Sequence, residues 1–151
     1  MARKNRRYRY SLYHQTAVPG NLGRLVPLDH FEVAPGDTIS GRVGNLFRFS
    51  PIKHALLTDI FVDTYMAYIP HRLVWSDWEN FLAEGPSDSP TYSTPTLTAT
   101  DGATDCEDLF FPYWNESFTY SAIPIRCYNL FFNEYCRDDT LTPLTSDYIG
   151  L

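Results

Sequence analysis

The stretch DIFVDTYMAYI, Asp59 to Ile69, is the strongest strand signal in the chain. In a strand, successive side chains point to opposite faces. Ile60, Val62, Met66 and Tyr68 therefore share one face, and Phe61, Tyr65, Ala67 and Ile69 share the other. Only Asp63 and Thr64 interrupt the pattern. Two apolar faces imply an inner strand covered on both sides, or one held between a core and a partner. Pro70, which has no N–H for a ladder, ends the segment.

Toward the N-terminus, residues 38–49 form a weaker strand pattern, with Ile39, Val43 and Phe47 alternating against Ser40, Arg42 and Arg48. Pro51 ends it, and residues 54–58 suit a short turn of helix. Ala34-Pro35-Gly36-Asp37 is a turn, because proline fixes φ and glycine supplies an unusual one. Residues 24–33 are expected to be extended, with Pro27 marking an edge or bulge. Residues 1–23 read as a basic N-terminal arm, turn-rich near Pro19-Gly20-Asn21 and Gly23.

Toward the C-terminus, Ser76 and Glu79 have capping-box spacing, so a helix is expected from about Asp77 to near Gly85. Trp78, Phe81 and Leu82 share its apolar face, and so short a helix needs packing to hold it. Residues 85–108 carry six Thr, three Ser and three Pro and read as a long surface loop. Phe110, Phe111, Tyr113 and Trp114 then re-anchor the chain or join an interface. Asn115-Glu116-Ser117 matches a glycosylation acceptor, which carries little weight without a secretory signal. Residues 123–137, IPIRCYNLFFNEYCR, make the best helix. Ile125, Tyr128, Phe131, Phe132 and Tyr135 form its aromatic stripe, and Arg126, Asn129, Asn133 and Arg137 its polar face. Asp138-Asp139 sits at the wrong end for the helix dipole, which hints at a cationic partner or a neighbouring subunit.

Composition narrows the class. The chain has 151 residues and 17.4 kDa, 44% hydrophobic and 20% charged, so disorder throughout is excluded. Aromatics reach 16%, and 11 Pro with 8 Gly argue against a simple helical bundle. No apolar run is long enough to span a bilayer, and no apolar segment follows the basic N-terminus as in a signal peptide. The net charge of −6 conceals a division. Residues 1–58 hold nine Lys and Arg against three acids, whereas residues 59–151 hold three Arg against 15 acids. Arg3, Lys4, Arg6, Arg7 and Arg9 crowd the first nine positions. Such a cluster repels itself and suits a polyanion such as nucleic-acid phosphate. Tyr8 and Tyr10, interleaved with it, can stack on unpaired bases. No base-reading motif accompanies them, so contact would be non-specific.

Catalytic and metal signatures are lacking. His14, His30, His54 and His71 are scattered, and Cys106, Cys127 and Cys136 lack zinc-ligand spacing. Three cysteines do not make a disulfide framework, and thiols in a reducing compartment are the expectation. There is no phosphate-binding glycine loop, dinucleotide fingerprint or nucleophile elbow. Asp63 with Glu79 is the kind of acid pair that chance supplies, and Asp105, Glu107 and Asp108 do not follow the calcium-loop pattern. Neither an enzyme nor a cofactor is expected. Arg72, between the apolar segment and Trp75 and Trp78, reads as a local structural arginine, stacked on an indole or paired with Asp77, with a subunit contact as its rival role.

Two or three strands, two short helices and a long loop do not close a domain of this size, which should bury about two thirds of its extended surface. The aromatic excess needs cover from neighbouring copies or from further chain.

Three stretches carry a resemblance. The first is Gly23-Arg24-Leu25-Val26-Pro27 with Ala34-Pro35-Gly36-Asp37-Thr38. The second runs from Phe49-Ser50-Pro51 through the aromatic segment to Ile69-Pro70-His71-Arg72-Leu73-Val74-Trp75 and Trp78-Glu79-Asn80-Phe81. The third is Pro124 to Asp138, with Tyr128-Asn129, Asn133-Glu134 and Arg137-Asp138. Together and in this order they resemble the N-terminal part of the major capsid protein of the Microviridae, the small isometric single-stranded DNA bacteriophages.

The resemblance implies a mainly β fold, part of an eight-stranded viral jelly roll with helical and loop insertions. On it, residues 1–23 are the arm, 24–84 early jelly-roll strands and a short helix, 85–122 an insertion loop, and 123–151 an insertion helix and tail. It implies a homo-pentamer building a T=1 icosahedral shell around circular single-stranded DNA, in the virion and, during assembly, in the host cytoplasm. Spike, scaffolding or DNA-pilot proteins are further implied partners, and no membrane is. Arg3, Lys4, Arg6, Arg7 and Arg9 would face the genome. Arg72, Trp75, Trp78, Tyr128, Phe131 and Tyr135 are the expected assembly or core anchors. Family members are several times longer, so the later strands have no counterpart in these 151 residues. A cellular nucleic-acid-binding module with a basic arm, and a glycosidase on a sandwich fold, are the rival readings.

Overall fold

The structure is a computed structural model that describes residues 8–51, 53–54, 57–84, 91–99 and 117–144. Most of the described residues in 8–70 form no helix or strand and are punctuated by turns. Two of those turns use glycine at positive φ, Gly23 at 78° and Gly36 at 91°. At the second, Asp37 N donates to Ala34 O at 3.1 Å, closing the expected turn with proline and glycine at its centre. A side chain in this left-handed region costs about 1–2 kcal/mol. Gly36→Ala should therefore lower stability by about 1 kcal/mol in urea titration, whereas Gly41→Ala, in open space without positive φ, should cost nothing measurable.

After Pro70, a 3-10 turn spans His71–Leu73. Val74 N and Trp75 N both donate to His71 O, at 3.0 and 2.8 Å, which drives Val74 and Trp75 inward. Helix α1 follows at Trp78–Glu84. Its first turn closes from Phe81 N to Asp77 O at 2.8 Å, within a residue of the expected start. Gly85 lies outside the described residues. The Glu84 carboxylate accepts from Thr91 N at 2.6 Å and Tyr92 N at 3.2 Å, which braces the end of α1 to the chain that returns. The Thr91 bond holds this carboxyl below the usual carboxylate range.

Strands β1 (Thr96–Ala99) and β2 (Phe118–Ser121) pair antiparallel, with Thr96 opposite Ser121 and Ala99 opposite Phe118. Thr98 and Thr119 hydroxyls meet across the pair at 3.2 Å. Ala122 N extends the ladder to Pro95 O at 2.9 Å, and the chain turns at once into α2, Ile123–Phe131. Pro124 sits in the first turn, where its missing N–H costs nothing. From Phe132–Cys136 the helix widens into a π turn, and Arg137 N donates back to Phe132 O at 2.8 Å.

Among the described residues, the buried core is small and lies where these pieces meet. Val74, Trp75, Ala122 and Ile125 are its buried apolar residues, with Asn129 and Asn133 its buried polar ones.

Several expectations are corrected. Among the described residues, the β1–β2 pair is the one ladder, and it lies in the span read as loop. The strands expected at 38–49 and 59–69 are not formed as paired strands, so the mainly β architecture is not what the described chain displays. Side-chain periodicity reports extended backbone and apolar demand; a ladder also needs a second strand. Residues 59–69 are not covered on two sides: Phe61 is 86% and Tyr68 80% exposed. The turn of helix expected at 54–58 overlaps residues outside the described set, as do Phe110, Phe111, Tyr113, Trp114 and the Asn115-Glu116 pair. The last helix is also rotated from its expected pose. Its polar residues Asn129 and Asn133 point inward while Tyr135, on the expected apolar stripe, is 79% exposed.

Candidate assembly surface

Helix α2 is held by two long-range side-chain bonds. Arg126 Nη1 donates to Val74 O at 3.0 Å, satisfying a carbonyl left over where the 3-10 turn ends. Tyr128 donates its hydroxyl to Leu25 O at 2.8 Å, tying the helix to the strip 24–28. Asn129 lies on the same inner side, one turn beyond Ile125, and neither it nor Asn133 lacks a partner. The inner side of α2 thus carries the polar Asn129 beside the apolar Ile125, while Arg126 and Tyr128 reach backbone carbonyls. Helical periodicity marks two faces, and the chemistry of the opposing surface decides which is buried. Sequence reading therefore missed Arg126, Asn129 and Asn133 as inner residues.

Of the expected stripe, Ile125 is buried, Tyr128, Phe131 and Phe132 are half-buried, and Tyr135 is exposed. Tyr65, Phe131 and Tyr135 form a row: ring centroids lie 5.9 Å apart for Tyr65–Phe131 and 5.2 Å for the stacked Phe131–Tyr135 pair. Asn45 Nδ2 donates to Thr64 Oγ1 at 2.7 Å, so the two segments touch at this point.

A second aromatic group surrounds α1. Trp75 lies 4.9 Å from Phe81 and 5.6 Å from Trp78, and His71 meets Trp78 edge-on at 4.5 Å. Trp75 is buried and Trp78 half-buried. Arg72 is exposed, and no stacking or ion pair with Asp77 involves it among the described residues. His71, one residue earlier, takes the place beside Trp78. Of the six expected anchors, Trp75 and Trp78 come together around α1, Phe131 and Tyr135 together on the outer row, Tyr128 on the 24–28 strip, and Arg72 stands apart.

The acidic end of α2 finds local partners. Asp138 accepts from Thr140 N at 2.8 Å and Thr140 Oγ1 at 2.6 Å, which holds its carboxyl below the usual range. Asp139 pairs with Arg137. The hint of a foreign cation there is thereby answered within the chain. Cys127 is half-buried, and burial pushes its thiol up to about 11, which disfavours the thiolate. Cys136 is exposed and Cys106 lies outside the described residues. Among the described residues, no group of metal-ligating side chains converges, and no helix is long and apolar enough to cross a membrane. Of the basic cluster, Arg9 is described and exposed; Arg3, Lys4, Arg6 and Arg7 lie outside the described residues.

The family model for "Capsid protein (F protein)" of phages matches residues 2–147. Capsid protein VP1 of Chlamydia phage 1 is 31% identical over 149 residues, covering 90% of this chain and 25% of the relative. Capsid protein VP1 of Bdellovibrio phage phiMH2K is 32% identical over 123 residues, covering 78% and 23%. Capsid protein F of Escherichia phage G4 is 32% identical over 94 residues, covering 62% and 21%. The chain spans about a quarter of the length of these relatives. The matched span takes in all three stretches that carry the Microviridae resemblance, from the Pro-Gly-Asp turn to the Arg137-Asp138 end of α2. The chain belongs to the phage F capsid protein family.

Proposed function

We propose that this chain is a shell-forming part of a major capsid protein, structural and without catalysis, and located in the virion. The observation that carries the reading is the segment 59–69, apolar on both faces and open on both. Such a surface is stable in water only when covered. In the shell, residues 38–49 and 59–69 take ladder partners from further capsid-protein chain or from neighbouring copies, completing a jelly roll. The outer row of Tyr65, Phe131 and Tyr135 packs against a neighbour. The shell is a T=1 icosahedron of pentamers, assembled in the host cytoplasm around circular single-stranded DNA. Arg3, Lys4, Arg6, Arg7 and Arg9 neutralise phosphates on its inner face without reading sequence. Spike, scaffolding and DNA-pilot proteins are its further partners.

Phe61→Ser separates this reading from a self-sufficient fold. Phe61 is 86% exposed, so in the unassembled chain the change should move stability by less than about 0.5 kcal/mol. In the shell the same site becomes interior, and the change should abolish the fast-sedimenting particle. Wild-type particle yield from the variant would overturn the proposed burial of this face.

A further inference from the structure

We propose that His14 is a pH-operated latch that pins the N-terminal arm onto the strip 24–29. His14 Nδ1 lies 2.6 Å from Leu12 O, and Nε2 lies 2.7 Å from Asp29 Oδ2. A backbone carbonyl only accepts hydrogen bonds, and so does an ionised carboxylate. A neutral imidazole has one N–H, so it can satisfy one of these oxygens and must turn a lone pair on the other. The doubly protonated ring donates to both. The geometry therefore selects the charged form.

Two further observations place the arm on this strip. A Cβ at Gly20 would come 2.9 Å from Val26 Cγ2, so the arm's backbone lies directly against the strip there. On the strip itself, Leu25 O receives the Tyr128 hydroxyl. The strip is thus held by α2 and by the arm, and His14 is the arm's ionisable tie to it. Asp29 is the charged group that faces the ring among the described residues. The Leu12 carbonyl and then Asp29 raise the His14 pKa above that of a free imidazole. A raised folded-state pKa makes the tie complete below the unfolded chain's value, and the tie is lost as pH rises through the folded value. Both partners are partly exposed, 52% and 39% at the side chain. The latch consequently governs the attachment of the arm and not the stability of the fold. The inference does not depend on what the arm touches in the shell.

The test uses the full chain in its native assembled form. Exchange of the histidine C2 proton, followed by mass spectrometry, gives the His14 pKa. It is expected above that of free histidine and should fall toward it in Asp29→Asn. Amide exchange in the peptide covering 8–15, corrected for its intrinsic pH dependence, should quicken about threefold on crossing that pKa. In Asp29→Asn it should be fast on both sides, while the peptide covering 123–136 keeps wild-type protection. A wild-type His14 pKa at or below the free value would overturn the latch, and so would arm exchange unchanged across that pKa.

Discussion

Replacing Trp75 by alanine is expected to remove about 3–5 kcal/mol of stability. Trp75 is 5% exposed and is one of four buried apolar residues in the described core. Its ring lies against Phe81 and Trp78, and its backbone N–H closes the turn begun at His71. The alanine variant leaves a cavity where the 3-10 turn meets α1, with too few surrounding side chains to collapse into it. So small a core has no redundancy. Denaturant titration of the assembled material measures the loss. A change below about 1 kcal/mol would show that the site is not core.

The second large effect concerns the arm. Changing Arg3, Lys4, Arg6, Arg7 and Arg9 together to glutamine removes five cations from the first nine residues. For single-stranded DNA each phosphate contact contributes about 0.7 to the slope of log affinity against log salt. Losing five contacts should flatten that slope by about 3.5 and release packaged DNA at lower salt. Stability should move by less than about 0.5 kcal/mol, as for other surface changes. An unchanged salt slope would contradict the arm's assigned role.

How much of this was legible in the residues varies from element to element. The turn at 34–37 was fully legible, because proline and glycine dictate local φ whatever lies beyond. Helix α1 was legible to within a residue, although its first turn closes on Asp77 O and not on Ser76. Helix α2 was legible as a helix but not in its pose. Its inner surface is decided by Val74 O and the 24–28 strip, 52 and 103 residues away in the chain at their hydrogen-bonded partners. The segment 59–69 was legible as apolar on both sides, but not as unpaired, because pairing depends on a strand that its own pattern cannot name. The β1–β2 ladder was missed because Thr-rich residues between prolines read as loop, although threonine suits a strand once it has a partner. Among site residues, Trp75 and Trp78 were legible from aromatic clustering. Arg126 was not, since an arginine bound for a backbone carbonyl carries the same sequence signal as one bound for water.

The central claim is that the apolar surface left open by this chain is covered by capsid assembly. Electron microscopy of untagged native material containing the chain tests it most directly. The account predicts uniform small isometric shells. Intact material that yields soluble monomers and no shell would contradict it.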